Sequence, residues 1–360
     1  MPQPPDREPF FGRSRLLRET VVFALLLIGA TAGAADFWVA PGGSDVAPGS
    51  CSQPFKTNQR ATDVMQAGDG LLAQEAEQKS RQVLRGTPMV LGKSLGASVA
   101  FAMDVKNWQQ VKDLGLNTVR VCWVDPWFAD RKRAHWTAEE VLPKLDACVT
   151  NARATGLNII INYHNVGEQQ EQVKAGKPLD FSRLAGFWRL VSSRYKDQAH
   201  VFYELSNEPS FDGGTYLKPE FRMGLLGVYR QVRQDAPQRM ILLFSFNSLD
   251  SDLKGIVDAY ASEIDWEHTM VAFHFYGGDG TSRRARALAK AYPSICTEWD
   301  YPGAADYVKQ VDGKLLIPET CENVGVGWID WRSWSDTKLD RIRGTLIPDA
   351  KAKGYWWGKN

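Results

Sequence analysis

Short, continuously apolar runs alternate with longer stretches of helical periodicity from about residue 87 onward. Such runs are typical of strands buried on both faces, and their alternation with helical stretches indicates βαβ units. Strands are predicted over Thr118–Trp123, Asn158–Tyr163, Val201–Leu205, Met240–Phe246, Met270–Phe275, Ser294–Thr297 and Val324–Ile329, with an earlier strand within Met89–Ala100. Helices are predicted between them, for example over Asp104–Leu114, Thr137–Ala154 and Phe181–Tyr195.

Eight strands that alternate with helices fit an α/β fold of the (β/α)8 TIM-barrel type. The competing architecture is a doubly wound open sheet, which often carries a Gly-x-Gly-x-x-Gly or P-loop motif directly after a strand. Neither motif follows any predicted strand. We therefore predict a barrel domain over residues 87–360, with its functional residues at the carboxyl ends of the strands.

The first 35 residues have the pattern of a secretory signal peptide. Four arginines precede an apolar run over Val21–Ala30, and small residues then offer a cleavage site at Ala34 or Ala35. The apolar stretch is shorter than the roughly 20 residues of a membrane-spanning helix. We expect a cleaved signal, a secreted or periplasmic protein and no stable membrane insertion after cleavage; an uncleaved anchor is the alternative.

Residues 36–86 differ in character from the rest of the chain. They begin F-W-V-A-P-G-G-S-D, continue through Q-P-F-K-T and reach A-G-D at Asp69. This order of strand, turn and short helix resembles the opening coil of pectate-lyase-like β-helix proteins. A β-helix needs several stacked coils, and no further coil follows. We interpret the segment as a short remnant joined to the barrel by a linking helix over Leu71–Arg85.

The composition narrows the classes of function. Lys and Arg number 43 against 42 Asp and Glu, so the basic excess of a nucleic-acid binder is missing. Tryptophan is abundant at 13 residues, which indicates either a Trp-rich core or a cleft that stacks sugar rings. Five cysteines cannot all pair, and none has C-x-x-C spacing, which disfavours zinc and redox motifs. Cys296 with Cys321, or Cys122 with Cys148, could form a disulfide if the fold brings them close.

Two glutamates follow apolar strands directly. Glu208 lies in L-S-N-E-P after Val201–Leu205, and Glu298 lies in C-T-E-W after Ser294–Thr297. In a barrel both positions belong to the same rim. Two carboxylates that flank one bond are the requirement for glycoside hydrolysis.

Further polar residues occur at the strand ends in a characteristic order. They are Arg120 in N-T-V-R-V, His164 in N-Y-H-N, Asn207 before Glu208 and Pro209, His274 and Tyr276 in A-F-H-F-Y, Glu298 in T-E-W and Trp331 in G-W-I-D-W. Each motif is weak alone, but this series resembles glycoside hydrolase family 5 over roughly residues 87–335. The resemblance implies a retaining β-glycosidase that forms a glycosyl-enzyme intermediate.

The resemblance also implies a role for each matching residue. Glu208 would be the general acid/base and Glu298 the nucleophile, held ionised by Arg120 and Tyr276. Asn207 would bind the sugar 2-hydroxyl. His164 and His274 would line the subsite at the cleaved bond, and Trp331 would form its aromatic floor, with Trp328 as an alternative for that floor.

The chain departs from the family pattern after the second glutamate. It reads T-E-W-D-Y-P-G where members usually have T-E-F-G, which puts the neighbouring loop in doubt more than Glu298. Glu204 lies four residues before Glu208 on the same strand face, and we expect it to be structural. The polar stretch over Val166–Pro178 either shapes the sugar subsites or forms an exposed loop.

Other functions fit the sequence less well. A metal-dependent barrel hydrolase would need clustered histidines, and the chain has five His with no H-x-H pair. A polysaccharide lyase has support only from residues 36–69. A non-catalytic carbohydrate-binding barrel and a transglycosidase that uses the same site stay open. We expect a monomer without metal or cofactor that acts on a β-linked polysaccharide or oligosaccharide of the glucan or mannan type.

Overall fold

A computed structural model describes residues 36–39, 44–49, 55–65, 70–73, 83–91, 102–123, 138–247, 252–275, 279–299, 321, 326–330, 344 and 348. The chain divides into two units, Met1–Ala76 and Glu77–Asn360. The predicted signal peptide, Tyr276 and Trp331 lie outside the described residues. No helix in the described ranges combines the length and the apolar character that a membrane span requires.

The first unit contains two short strands and a helix. Strand β1 (Asp36–Val39) pairs in parallel with β2 (Gly70–Ala73), and α1 (Asn58–Val64) lies between them in sequence. Thr57 caps α1 by accepting a hydrogen bond from the Arg60 backbone. The prediction of a linking helix over residues 71–85 is wrong at both ends, since residues 70–73 are strand and the first barrel strand begins at residue 85. The β-helix resemblance of this unit stays a prediction.

The second unit contains a closed barrel of eight parallel strands, which confirms the predicted (β/α)8 fold. The strands are β3 (Arg85–Leu91), β4 (Thr118–Trp123), β5 (Asn158–Tyr163), β6 (Val201–Glu204), β7 (Ile241–Phe246), β8 (Thr269–His274), β9 (Ser294–Trp299) and β10 (Gly327–Asp330). Strand β10 pairs with β3 and closes the barrel. The first strand begins earlier than the predicted range of 89–100, because the apolar pattern did not extend to Arg85 and Gly86.

Helices connect the strands and cover the outside of the barrel. They are α2 (Val105–Asp113), α3 (Ala138–Thr155), α4 (Glu168–Lys174), α5 (Ser182–Tyr195), α6 (Gly213–Tyr216), α7 (Pro219–Asp235), α8 (Leu253–Asp258) and α9 (Asp279–Ala291), with a 3-10 turn at Ala261–Glu263. Asp104 caps α2, and Pro219 provides the first turn of α7 with a preset φ. Helix α4 falls in the polar stretch 166–178, so this stretch contains a folded helix rather than only an exposed loop.

Two apolar layers result from the period-two alternation of strand side chains. A small cluster fills the barrel interior and comprises Leu84, Ile160, Leu242, Met270, Ala272, Ile295 and Ile329. The larger cluster lies between the strands and the helices and includes Trp108, Trp188 and Trp328. Five of the tryptophans in the described ranges are therefore core residues, namely Trp108, Trp123, Trp188, Trp299 and Trp328. The inner cluster forms the floor beneath the polar end of the barrel.

Neither of the two possible disulfides is formed between the described cysteines. Cys122, Cys148, Cys296 and Cys321 are all buried thiols. The thiols of Cys122 and Cys148 lie against different backbone carbonyls, those of Arg120 and Ala102. The Cys296 and Cys321 thiols interact by a hydrogen bond, and burial together with this contact raises the pKa of Cys296 well above its usual value. Cys51 lies outside the described residues.

Candidate active site

The carboxyl ends of the strands bring a polar cluster together above the inner apolar floor. In β5, Ile160 belongs to the inner cluster, so Asn162 and then His164 follow on the same face at steps of two residues. The same alternation places Arg120 of β4 and Glu204 of β6 inside the barrel. All four side chains are buried, which is why their charges and hydrogen-bonding groups must be satisfied by one another.

Arg120 organises this cluster through four hydrogen bonds. Its Nε donates to Glu204 Oε2 at 2.5 Å and its Nη2 donates to Glu204 Oε1 at 3.0 Å, which is a two-point contact on one carboxylate. Nη2 also donates to Asn207 Oδ1 at 2.6 Å, and Nη1 donates to Glu298 Oε1 at 2.7 Å. The prediction that Arg120 holds Glu298 therefore agrees with its position, and Glu204 holds Arg120 from below.

His274 lies between the two glutamates. Its Nδ1 is 2.6 Å from Glu208 Oε1 and 3.4 Å from Glu298 Oε2. The ligand atoms of these three side chains all lie within 4.8 Å of one another. Burial lowers the pKa of His274, but the charge of Glu298 and the hydrogen bond and charge of Glu208 outweigh it, so the pKa is raised above its usual value.

His164 has the opposite electrostatic character. Burial, followed by the charges of Arg120 and His274, lowers the pKa of His164 well below its usual value, so its imidazole is neutral near neutrality. Its Nδ1 lies 2.8 Å from Asn162 Oδ1. Because an amide oxygen only accepts, this contact assigns the imidazole proton to Nδ1 and leaves Nε2 as an acceptor.

Asn207 and Glu208 follow strand β6, and Glu208 has an unusual backbone conformation. Glu208 has a φ of 41°, in the left-handed region that non-glycine residues seldom adopt. Its N–H donates to the Ser245 carbonyl at 3.2 Å, and its own carbonyl accepts from Gly167 N–H at 2.7 Å. The Asn207 side chain is buried, and among the described residues its Nδ2 has no hydrogen-bond partner. This amide is therefore a donor available to a ligand hydroxyl.

A bulge in β9 directs Glu298 into the barrel. Phe273 of β8 pairs with Cys296, whereas the next residue, His274, pairs with Glu298, so one extra residue lies between the two pairs. Without this irregularity, alternation from the inward Ile295 would turn Glu298 outward. Bulges of this kind redirect side chains next to active sites.

The tryptophan next to Glu298 belongs to the core. Trp299 is 1% exposed and packs edge to face against Trp328, with ring centroids 5.6 Å apart. Both rings lie in the outer cluster, so Trp328 faces the helices and not the barrel interior. This is a correction to the alternative that Trp328 forms the aromatic floor. The first departure from the family pattern, Trp299, is therefore a residue that packs in the core and does not face the site.

Sequence reasoning missed two polar residues of the cluster. Asn162 was hidden inside the apolar strand N-I-I-I-N-Y, and Ser245 lies in the run I-L-L-F-S-F. A polar residue in an otherwise buried strand was the available signal, since such a residue requires a buried partner. Glu204, expected to be structural, makes contacts that agree with that expectation, and they extend directly to Arg120.

Two groups of described side chains are compact enough to hold a metal ion. One consists of Glu208, His274 and Glu298, and the other of the half-exposed Asp265, Glu267 and His268. In the first group, cationic Arg120 already contacts Glu298 and His274 contacts Glu208. The two carboxylates of this group therefore have different partners, an imidazole for Glu208 and a guanidinium for Glu298.

Comparison with known proteins adds independent information. The family model described as Cellulase (glycosyl hydrolase family 5) matches residues 100–337, more than half of the chain. Endoglucanase A of Butyrivibrio fibrisolvens is 26% identical over 153 residues, which cover 42% of this chain and 32% of that protein. Endoglucanase C of Evansella cellulosilytica is 24% identical over 250 residues, which cover 58% of this chain and 29% of that protein. The chain thus spans about a third of the length of these relatives.

Solved structures with the same fold include two glucanases. The β-glucanase SdGluc5_26A from Saccharophagus degradans superposes with a TM-score of 0.57 at 16% identity, covering 76% of this chain and 88% of that one. The catalytic domain of Thermobifida fusca endoglucanase Cel5A, in complex with cellotetraose, gives a TM-score of 0.52 at 17% identity and covers 76% and 82%. At these identities the similarity establishes the barrel fold.

Proposed function

This chain belongs to glycosyl hydrolase family 5, and from that membership we propose that it is a retaining β-glycoside hydrolase of the cellulase type. Glu208 is the general acid/base and Glu298 is the nucleophile. The observation that carries the proposal is the approach of both carboxylates to one imidazole, at 2.6 and 3.4 Å from His274 Nδ1. Arg120 contacts Glu298, whereas Glu208 contacts His274, so the two carboxylates have different environments suited to different roles.

The separation of the carboxylates supports retention of the anomeric configuration. Their ligand atoms lie within 4.8 Å of each other. Retaining enzymes have carboxyl groups about 5–5.5 Å apart, whereas inverting enzymes hold them about 6.5–9.5 Å apart to admit a water between. Direct attack by one carboxylate therefore fits the space better than attack by an activated water.

In the first step, a Glu298 carboxylate oxygen attacks the anomeric carbon and forms a covalent ester. Glu208 gives its proton to the glycosidic oxygen, so the bond between the anomeric carbon and that oxygen breaks and the leaving sugar departs as an alcohol. Arg120 stabilises the Glu298 carboxylate before attack. His274, in contact with both side chains, fixes their orientation.

In the second step, a water molecule attacks the same carbon. Glu208, now a carboxylate, takes a proton from the water, and the bond to Glu298 breaks with its electron pair returned to that carboxylate. The available Nδ2 of Asn207 donates to the sugar 2-hydroxyl in both steps, a contact that strengthens toward the transition state.

The proposed substrate is a β-linked glucan that is cut internally. The matched relatives carry the name endoglucanase, and a structural neighbour is a β-glucanase. This chain spans about a third of those relatives' length, so their activity is not transferred to it directly, and we propose the same substrate class for it. No cofactor has a role in it.

The test is release of reducing sugar from β-glucan, mannan and xylan by the purified protein. Glu208→Ala and Glu298→Ala should each abolish release from the polymer that the unaltered protein cleaves. Glu220→Ala, on the exposed start of α7, is the matched control and should retain full activity. Activity that survives both active-site substitutions would overturn the assignment of the pair.

Added azide separates the two roles. With an activated aryl β-glycoside, azide should restore turnover of Glu208→Ala and give a β-glycosyl azide, because attack on the intermediate no longer needs a general base. Glu298→Ala should give the α-azide, because azide then replaces the missing nucleophile directly. The opposite pattern would mean that the roles are exchanged.

Export is the remaining part of the proposal. The arginines, apolar run and small residues in 1–35 support a signal peptide. Sequencing of the amino terminus of protein recovered from outside the cytoplasm should begin at Ala35 or Asp36. Recovery with Met1 intact would support the uncleaved anchor instead.

A further inference from the structure

Strand β7 contains a strained bulge beside the proposed active site. Phe244 and Ser245 have φ values of 79° and 43°, two successive non-glycine residues in the left-handed region. The pairing of β7 with β8 shifts register between Leu243 and Phe246 at the same point. Left-handed backbone is unfavourable for residues with a Cβ and persists only where the surrounding structure enforces it.

The bulge changes which side chains face the barrel interior. Regular alternation from the inward Leu242 would send Phe244 inward, yet Leu243, Phe244 and Phe246 all belong to the outer cluster. The rings of Phe244 and Phe246 stack with centroids 4.9 Å apart and an interplanar angle of 5°. Ser245 alone turns inward, where it is fully buried. The strained backbone thus places one polar side chain, that of Ser245, inside the barrel.

Ser245 contacts the supports of both proposed catalytic residues. Its Oγ donates to Glu204 Oε1 at 2.7 Å, and its carbonyl accepts from Glu208 N–H at 3.2 Å. Glu208, with a φ of 41°, is the third non-glycine residue of left-handed φ among the described residues. One backbone hydrogen bond therefore joins two of the three strained positions, Glu208 and Ser245, and the third, Phe244, directly precedes Ser245.

The hydroxyl of Ser245 acts on Glu298 through two side chains. Glu204 Oε1 accepts from Ser245 Oγ and also from Arg120 Nη2, and its Oε2 accepts from Arg120 Nε. With Glu204 fixed, Arg120 directs Nη1 at Glu298. Without the hydroxyl, the buried Glu204 carboxylate loses one of its hydrogen-bond donors. Its attraction to the Arg120 guanidinium then increases, which shifts Arg120 toward Glu204 and weakens the hydrogen bond from Arg120 to Glu298.

We infer that Ser245 is a positioning residue for the proposed reaction, holding Arg120 against the nucleophile through Glu204 and holding the backbone of the acid/base through its own carbonyl. This inference rests on the proposed function. The left-handed bulge is the structural cost of bringing a hydroxyl donor to that place, which a regular strand would occupy with the ring of Phe244.

Three variants separate the hydroxyl from the strain. Ser245→Ala removes the donor and keeps a Cβ at positive φ, whereas Ser245→Gly removes the donor and also relieves the strain. Ser206→Ala is the matched control, because Ser206 is also buried, lies two residues before Glu208, and its Oγ has no hydrogen-bond partner in the described ranges. We expect the melting temperature of Ser245→Gly to be no lower than that of Ser245→Ala, because glycine tolerates the positive φ. A loss of activity that both variants share is then due to the missing hydroxyl and not to a loss of stability.

The probe is 2,4-dinitrophenyl 2-deoxy-2-fluoro-β-cellobioside, followed by intact-protein mass spectrometry. The Glu298 carboxylate attacks the anomeric carbon, dinitrophenolate leaves with the bonding electron pair, and the 2-fluorosugar stays bound. Because this leaving group needs no proton, the rate of labelling reports on the nucleophile alone. Loss of a hydrogen bond to a charged group should slow labelling about tenfold to a hundredfold in both Ser245 variants, with every molecule still labelled in the end. Ser206→Ala should label at the rate of the unaltered protein.

The outcomes distinguish this inference from the proposed function. Unchanged labelling rates in both Ser245 variants, or slow labelling in Ser245→Ala that Ser245→Gly restores, would overturn the positioning role. A reduced labelled fraction at an unchanged rate would also overturn it, because that is the result of partial unfolding. If the unaltered protein is not labelled at Glu298, the proposed mechanism fails, and the role of Ser245 fails with it.

Discussion

At the scale of single residues, the properties of the site come from burial. Arg120 is fully buried and donates hydrogen bonds to Glu204, Asn207 and Glu298. An uncompensated charge would be very costly at this depth, so the guanidinium and the carboxylates are mutually required. The planar fork of arginine donates to these three partners from three separate nitrogens, whereas lysine donates all of its protons from one nitrogen.

Arg120→Lys should therefore lower kcat by about a hundredfold, because the substitution keeps the charge but loses the directed contact with Glu298. Arg194→Lys is the control, since Arg194 also makes a two-point contact, with Asp146, but on the exposed surface. It should change the free energy of unfolding by less than about 1 kcal/mol and leave kcat unchanged. Equal kcat values for the two variants would contradict the role of the fork.

His274 gives the site a pH dependence of known sign. Its pKa is raised in the folded protein, so it contributes stability that is fully present below the unfolded value of about 6.5 and is lost as pH rises through the higher folded value. We expect the stability advantage of the unaltered protein over His274→Asn, measured by chemical denaturation, to shrink from pH 5.5 to 8.5.

His164→Asn should show the reverse trend. The folded pKa of His164 is lowered, so its contribution is present above about pH 6.5 and is lost as pH falls through the folded value. The advantage of the unaltered protein over His164→Asn should therefore grow with pH over the same range. Parallel trends in the two variants would mean that the assigned protonation states are wrong.

At the level of strands, two bulges shape the carboxyl end of the barrel and one close approach shapes its amino end. The bulge in β9 turns Glu298 inward and the bulge in β7 turns Ser245 inward. Glycine allows neighbouring strands to approach at the start of β3, where a Cβ added to Gly86 would lie 2.0 Å from the Thr118 carbonyl oxygen. The barrel closes tightly at this point because Gly86 has no side chain.

Gly86→Ala should destabilise the protein by about 3 kcal/mol or more, because the carbonyl it meets belongs to the backbone and cannot move aside cheaply. Gly227→Ala provides the contrast, since Gly227 is exposed on α7 and a Cβ there meets nothing within 4 Å. It should stabilise the helix by about 0.5–1 kcal/mol. Urea denaturation of the two variants measures the change in the free energy of unfolding in each case. A Gly86→Ala variant as stable as the unaltered protein would contradict the close contact between Gly86 and Thr118.

At the scale of the whole molecule, barrel closure depends on strands that are far apart in sequence. Strand β10 pairs with β3, and all eight barrel strands belong to the unit Glu77–Asn360. A closed barrel has no exposed edges, whereas the loss of one strand opens two.

A chain that begins at residue 77 should therefore fold with native near-ultraviolet circular dichroism, whereas a chain that begins at residue 92 lacks β3 and should aggregate or unfold. The chain beginning at residue 77 tests whether the barrel folds without β1 and β2. Failure of that chain alone to fold would show that the first unit is required for barrel stability.

Much of the fold and of the candidate site could be predicted because it depends on local pattern. Strands β4 and β5 have the predicted bounds, since each is a short and mainly apolar run. Strand β3 was misplaced, because Arg85, Gly86 and Thr87 have no apolar signature although the barrel buries them. The contact between Cys296 and Cys321 could not be predicted with certainty, since spacing in sequence does not fix the distance between thiols.

Periodicity and the order of the motifs were enough to predict the alternation of strands and helices, the barrel class and the residue types at the strand ends. The three-dimensional fold was needed to establish that Glu298 and Ser245 face inward, since a bulge reverses the alternation that a regular strand would have. It also decided that Arg120 joins Glu204, Asn207 and Glu298, because hydrogen bonds across a barrel link residues more than 80 positions apart.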